Sequence, residues 1–196
     1  MQTTLDRINK FWSPEIGHLN ETQRDKIIEV ISELDPEYAL EIGFAGGRHT
    51  TTVLSVCKNL KNMISLDIDF DYQHGRFKID LIKEEFGETI QFIEGDSHSL
   101  LNDSFFEENF ENGLDYIFVD GSHTYIGAKS DMMACYPKLS NKGIMLVDDY
   151  MSGPPDGCTL QTVTDAVNDF AKENNLSFET WNVRGKGLAI FTKNND

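Results

Sequence analysis

The sequence predicts a doubly wound α/β fold, with a mostly parallel seven-stranded sheet that closes in a C-terminal antiparallel hairpin. Three observations predict it. Short, continuous apolar runs alternate with stretches of helical periodicity along the chain. Several of these runs end in an acid or a glycine turn, as at Ile42-Gly43, Leu66-Asp67, Val119-Asp120 and Val147-Asp148. The last two runs are joined only by Arg184-Gly185-Lys186-Gly187, which is too short for a crossover and therefore makes a hairpin.

Taken in order, Leu5, Ile8, Phe11 and Trp12 make one apolar helical face in residues 1–19, best explained as core packing. Asn20 to Gln23 has capping-box spacing, and Ile27, Ile28, Ile31 and Leu34 then recur on one face until Asp35-Pro36 stops the helix. Tyr38 to Ile42 is the first strand, and Gly43 to Gly47 turns into a helix from about Arg48 to Cys57. Met63 to Leu66 is the second strand, followed by a helix marked by Phe77, Leu81, Ile82 and Phe86. Thr89 to Ile93 is the third, and Ser97 is expected to cap a short helix through Leu100 and Leu101. Tyr116 to Val119 and Ile144 to Val147 read as neighbouring buried parallel strands. Between them Tyr125, Ala128, Met132, Cys135, Tyr136 and Leu139 mark a crossover helix. The loop MSGPPDGC, a helix carrying Val163, Ala166, Val167 and Phe170, and the hairpin of Phe178 to Val183 with Leu188 to Phe191 complete the chain.

At 196 residues the chain is long enough for one core, and residues 1–35 are expected to be a helical segment of the same domain as residues 36–196. With 17 Lys and Arg against 33 Asp and Glu, the formal net charge of −16 argues against nucleic acid as a partner. Cys57, Cys135 and Cys158 are odd in number and lack C-x-x-C spacing, so neither a disulfide framework nor a zinc site is expected; Cys57 and Cys135 read as small core residues in helices. The first residues carry no apolar signal region, and no run approaches the roughly 18 apolar residues of a membrane span. No membrane partner is expected, and a soluble, reducing, cytoplasmic setting fits best.

Adjacent parallel strands lie about 4.8 Å apart, so Asp120 and the Asp148-Asp149 pair should emerge together at the carboxyl edge of the sheet, where open α/β sheets bind ligands. Converging carboxylates repel one another unless a cation joins them, and oxygen ligands without nearby Cys suit Mg²⁺ or another hard divalent ion. His123, three residues after Asp120, has an ordinary pKa of about 6.5 that suits a general base. The glycine turn lacks the small residues of a dinucleotide fingerprint, since Ala45 and Arg48 stand where Gly or Ala would be needed, which disfavours a nicotinamide cofactor. What remains is E-x-G-x-x-x-G from Glu41 to Gly47, joined by Asp67, 24 residues beyond Gly43 and placed to take ribose hydroxyls, and by Asp96. Of the other histidines, His49 could touch a cofactor carboxylate at its helix start, whereas His18 and His98 read as surface residues.

The segments EIGFAGG, SLDID, EGDS, FVDGSHTY and MLVDDY, in this order and with the final hairpin, resemble a class I S-adenosylmethionine-dependent methyltransferase. The likeness covers roughly residues 36–192 and is greatest to the metal-dependent O-methyltransferases that include catechol and macrocin sugar enzymes. The resemblance implies a Rossmann-like methyltransferase domain over residues 36–196. It implies that Gly43 and Gly47 shape the bed of the methionine half, Glu41 supports its amino group, Asp67 binds the ribose, and Asp96 with Ser97 binds the adenine. Asp120, close to the methionine end, would ligate Mg²⁺ together with Asp148 and Asp149. Catechol enzymes carry Asp-Asn where this chain has Asp148-Asp149, and Lys where it has His123; both departures favour a sugar-like or aliphatic hydroxyl over a catechol. The implied activity is methyl transfer to a hydroxyl of a small molecule, with a homo-oligomer possible. A metal-independent methyltransferase, separable by turnover that resists chelators, and a non-catalytic S-adenosylmethionine-binding module are the alternatives. An NAD-dependent oxidoreductase is a distant third.

Overall fold

The computed structural model describes residues 19–72, 75–151, 162–183 and 186–194. Its elements run α1 (Glu21–Leu34), β1 (Tyr38–Ile42), α2 (Arg48–Val56), β2 (Asn62–Asp67), α3 (Gly75–Phe86), β3 (Ile90–Glu94), α4 (Ser97–Leu100), α5 (Asp103–Asn109), β4 (Leu114–Val119), α6 (Tyr125–Cys135), β5 (Leu139–Val147), α7 (Val163–Glu173), β6 (Glu179–Val183) and β7 (Lys186–Thr192). The seven strands form one sheet in the order β3-β2-β1-β4-β5-β7-β6. β1 to β5 are parallel, and β7 runs antiparallel to both β5 and β6. The order reverses between β1 and β4, which opens the crevice that such sheets use for ligands.

Side chains alternate across the strands and feed two separate cores. Leu40, Ile42, Ile117, Val119, Met145 and Val147 face the layer of α5, α6 and α7. Ala39, Met63, Tyr116, Phe118 and Leu146 face the layer of α1, α2 and α3. Both faces are therefore covered, which is why the strands read as unbroken apolar runs instead of alternating ones. Tyr116 and Phe118 are among the largest fully buried side chains, each contributing on the order of 1.5–3 kcal/mol by leaving water.

Helix termini explain several boundaries. The capping box of α1 is formed in both directions: the Asn20 side chain accepts from Gln23 N–H, and the Gln23 side chain accepts from Asn20 N–H. At α4 the cap is Asp96, whose carboxylate accepts from His98 N–H; Ser97, expected to be the cap, is instead the first helical residue. α6 stops at Cys135, and Pro137 lies in a single 3₁₀ turn, so Leu139 opens β5 and does not close the crossover helix. Cys57 lies just beyond α2 and is half-buried, whereas Cys135 is fully enclosed. α5, which the apolar periodicity did not reveal, is capped by Asn102 and anchored by Phe106. The expectations for residues 1–18, including His18, for the MSGPPDGC loop beyond Met151 and for Cys158 fall outside the described residues. Among the described residues, no helix is long and apolar enough to cross a membrane.

Candidate functional site

The carboxyl ends of β1, β2, β3 and β4 border one cavity of about 450 Å³. Its walls include Gly43 and Ala45 after β1, Asp67 and Tyr72 after β2, and Asp96, Ser97 and His98 after β3. Asp120 and His123 after β4 complete it. That volume suits a ligand of drug or nucleoside size.

The glycine turn is built around the backbone of Asp120. Gly43 has φ +96°, and a side chain there would begin 2.0 Å from the Asp120 carbonyl oxygen, so only glycine allows β1 and β4 to meet this closely. Asp120 N–H donates to the Ile42 carbonyl at 2.8 Å and locks the same junction. Asp67 ties the turn from its other side: Oδ2 accepts from Phe44 N–H at 2.7 Å and Ala45 N–H at 3.0 Å. These two bonds hold Ala45 at φ +45°, a conformation that costs an L-residue energy. Asp67 thus borders the cavity while one of its oxygens is committed to shaping the turn.

Glu41 takes a different place from the one expected. It points to the α2 face and is fully buried, accepting from Ser65 Oγ, Thr50 Oγ1 and His49 Nδ1, the last at 2.8 Å. His49 Nε2 is 2.8 Å from Tyr116 Oη, and the ring stacks on Phe118 with centroids 3.8 Å apart. Neither Glu41 nor His49 borders the cavity; together they form a polar knot under the glycine turn. Burial pushes the Tyr116 hydroxyl well above its ordinary pKa, which keeps it neutral within that knot. Gly47 has φ +73° at the start of α2, with the Phe44 ring against it.

Asp120, His123 and Asp149 each offer a ligand atom within 4.8 Å of the others. His123 Nε2 lies 3.4 Å from Asp120 Oδ1, and His123 Nδ1 lies 3.3 Å from Asp149 Oδ2, so the imidazole bridges the two acids. The hydrogen bond to Asp120 and the charges of Asp120, Asp149 and Asp148 push the His123 pKa up to about 9, against the opposing effect of burial. Burial also raises Asp120, with His123 pulling it back. Both directions mean that this cluster holds a proton more tightly than its members would in water.

Asp148 faces elsewhere. Its Oδ1 accepts from Gln23 Nε2 at 2.8 Å and from Asp149 N–H at 2.8 Å, and the side chain is buried against α1. Asp149, with φ +57°, turns the chain so that its own carboxylate meets His123. Two adjacent acids therefore point to different sides of the sheet edge.

Residues 40–150, more than half of the chain, match a family described as a methyltransferase domain. The chain belongs to that family. It is a class I, S-adenosylmethionine-dependent methyltransferase, and the sheet order with its antiparallel β7 is the methyltransferase arrangement. No curated protein matches the methyltransferase by sequence. Among solved structures it is similar to a putative caffeoyl-CoA O-methyltransferase from Staphylococcus aureus, at 20% identity and TM-score 0.75, covering 97% of this chain and 92% of that one. It is also similar to the O-methyltransferase TomG from Streptomyces achromogenes, solved with S-adenosylmethionine, at 12% identity and TM-score 0.76, covering 100% and 91%. A third similar structure is the TDP-rhamnose 3'-O-methyltransferase of calicheamicin biosynthesis, at 17% identity and TM-score 0.66, covering 96% and 92%. At such identities the likeness is one of fold.

Within this methyltransferase, Gly43, Asp67, Asp96, Ser97, Asp120 and His123 meet around one cavity, and Asp149 joins its Asp120–His123 corner. Sequence reasoning missed His98, Tyr72 and Ala45 as cavity residues. For His98 a signal existed, since it stands directly after the strand-ending Gly95-Asp96-Ser97; Tyr72 carried none.

Proposed function

We propose that the chain is an O-methyltransferase that binds S-adenosylmethionine in the 450 Å³ cavity and methylates a hydroxyl of a small sugar-like or catechol-like molecule beside Asp120, with a divalent cation, Mg²⁺ or one equally hard, at the acid cluster. The observation that carries this reading is that Asp120 and His123 belong both to the cavity wall and to the cluster with Asp149. A donor in the cavity and an acceptor at the cluster would then share a boundary.

The residues present fit a hard cation: the Asp120 and Asp149 carboxylates gather on one side of an open cavity, as in sites that keep positions for water and substrate. Asp120 and Asp149 would hold it, with Asp148 joining only on release from Gln23 and His123 left beside them to take a proton. Such an ion supplies charge that stabilises an alkoxide and makes a bound hydroxyl more acidic. The chain's own residues do the rest. Gly43 and the Asp67-bonded turn shape the bed for the methionine end, with Glu41 supporting it from below, not by direct contact; Asp67 faces the ribose, and Asp96 with Ser97 faces the adenine. Alignment for in-line attack is the main contribution: the sulfur–methyl bond breaks as the oxygen–methyl bond forms, leaving a neutral thioether.

The hydroxyl proton goes to His123 when that ring is neutral. In the chain by itself the two acids keep it protonated at neutral pH, with a pKa of about 9, so the base form requires that their charge be taken up. The test is calorimetric titration with S-adenosylhomocysteine, followed by turnover with sugars and catechols, with and without Mg²⁺ and a chelator. Binding near the micromolar range and chelator-sensitive turnover are expected. Absence of binding would end the reading, and turnover that resists chelators would end its metal.

A further inference from the structure

Asp131 is a buried acid for which neither the fold nor the reaction so far gives a reason. It lies in α6 on the stripe of Ala128, Met132 and Cys135, is 1% exposed, and neither carboxylate oxygen has a hydrogen-bond partner among the described residues. A charge so placed is costly and is expected only where something completes it. Its surroundings show what that is. His98 Nε2 is 3.7 Å from Asp131 Oδ1, beyond hydrogen-bonding distance, and 3.4 Å from the Gly127 carbonyl, so the ring sits between two acceptors and bonds well to neither. Burial raises the Asp131 pKa most; the Ser97 hydroxyl and His98 lie near enough to pull it back, while Asp96 raises it. On the other side, Asp131 Oδ2 is 3.5 Å from where a side chain on Gly121 would begin. Ser97, His98 and Gly121 all border the cavity, the first two opening α4 after β3 and the third in the turn after β4. Asp131 therefore stands behind the cavity wall, at the seam between those two segments.

We propose that Asp131 is a clasp for the cofactor: when the cavity fills, the Ser97 hydroxyl and the His98 imidazole close onto its two oxygens and fix the start of α4 against the turn after β4. Asp131 is a positioning residue in this account. It touches the cavity wall and not the ligand. The free chain holds the acid unsatisfied, and ligand binding is coupled to satisfying it, so part of the affinity for the donor comes from a bond that the donor does not itself make. The inference rests on the cavity being the cofactor site.

The experiment measures S-adenosylhomocysteine affinity by calorimetry, and ligand-free melting temperature, for the wild-type chain, Asp131→Asn, His98→Gln and the double variant. A hydrogen bond to a charged group corresponds to about ten- to a hundredfold in affinity. Asp131→Asn is expected to weaken binding by at least about tenfold on that scale. Its ligand-free melting temperature should stay level or rise, because a buried charge without a partner has been replaced by a neutral group of the same shape. His98→Gln should cost a similar factor, and the double variant little more than either single one. Turnover should show the loss in KM for the donor, with KM for the acceptor unchanged. Wild-type binding tests the cavity assignment on its own: if it is absent, the cavity reading falls and the clasp with it. If wild type binds and Asp131→Asn binds equally well, the clasp alone is overturned. A melting temperature that falls along with affinity, or losses that add in full, would equally overturn it, by making Asp131 a support of the fold.

Discussion

Gly43→Ala is the most informative single change, because the structure separates its two costs. The backbone conformation at φ +96° disfavours any side chain, by about 1–2 kcal/mol. The added methyl would also start 2.0 Å from the Asp120 carbonyl oxygen and 2.5 Å from its carbon, which are backbone atoms that cannot rotate away. Overpacking of this kind adds about 1–3 kcal/mol. The sum is about 2–5 kcal/mol, and at about 2–4 °C per kcal/mol for a chain of this size it lowers the melting temperature by about 4–20 °C. Gly87→Ala isolates the first cost: Gly87 has φ +58°, and a side chain there would meet nothing within 4 Å. Its expected loss is about 1–2 kcal/mol, with cofactor binding unchanged. Paired thermal melts and S-adenosylhomocysteine titrations of the two variants check this. If Gly43→Ala melts together with Gly87→Ala and binds like wild type, then the close approach of β1 to Asp120 does not shape the site.

Four further outcomes are expected. The proton held by His123 must leave if a cation takes the acids, so Mg²⁺ binding should strengthen by up to about tenfold per pH unit below pH 9 and release about one proton; calorimetry in buffers of different ionisation heat measures this, and pH-independent binding would contradict it. Because the folded pKa of His123 is raised, its contribution to stability is fully present below about pH 6.5 and is lost as pH rises through 9; with the ring half exposed this is discounted to about 1 kcal/mol, and His123→Ala should remove the corresponding part of the pH dependence of unfolding. Gln23→Ala removes a bond to the buried Asp148 and should cost about 1–3 kcal/mol in urea unfolding. Asp67→Asn should weaken cofactor binding by about tenfold or more, because two backbone donors of the glycine turn lose a charged acceptor; affinity equal to wild type would sever the turn from the site.

The fold was legible because parallel strands buried on both faces leave unbroken apolar runs, and because acids and glycines mark their carboxyl ends. That reasoning brought Asp67, Asp96 and Asp120 to one edge. It could not separate Asp148 from Asp149. Their opposite directions depend on a φ of +57° at Asp149 and on a bond from Gln23, 125 residues away, and neither leaves a local pattern. Glu41 was assigned to the cofactor by resemblance, but Ser65, Thr50 and His49 supply its partners, and only the register of β1 with β2 brings Glu41 opposite Ser65. α5 escaped because its seven residues are too few for a helical period to repeat. Asp131 was visible in principle as a lone acid on the apolar stripe of α6.

The antiparallel insertion of β7 ties the acid cluster to a distant part of the chain. Tyr150 N–H bonds the Gly187 carbonyl at 3.1 Å, so the corner beside Asp149 is fastened by a strand far along the chain. The cavity walls come from the ends of β1 to β4, whereas the acid cluster also draws on the end of β5, which β7 holds from its other side. Loosening β7 would therefore disturb Asp149 before it reaches the cavity wall.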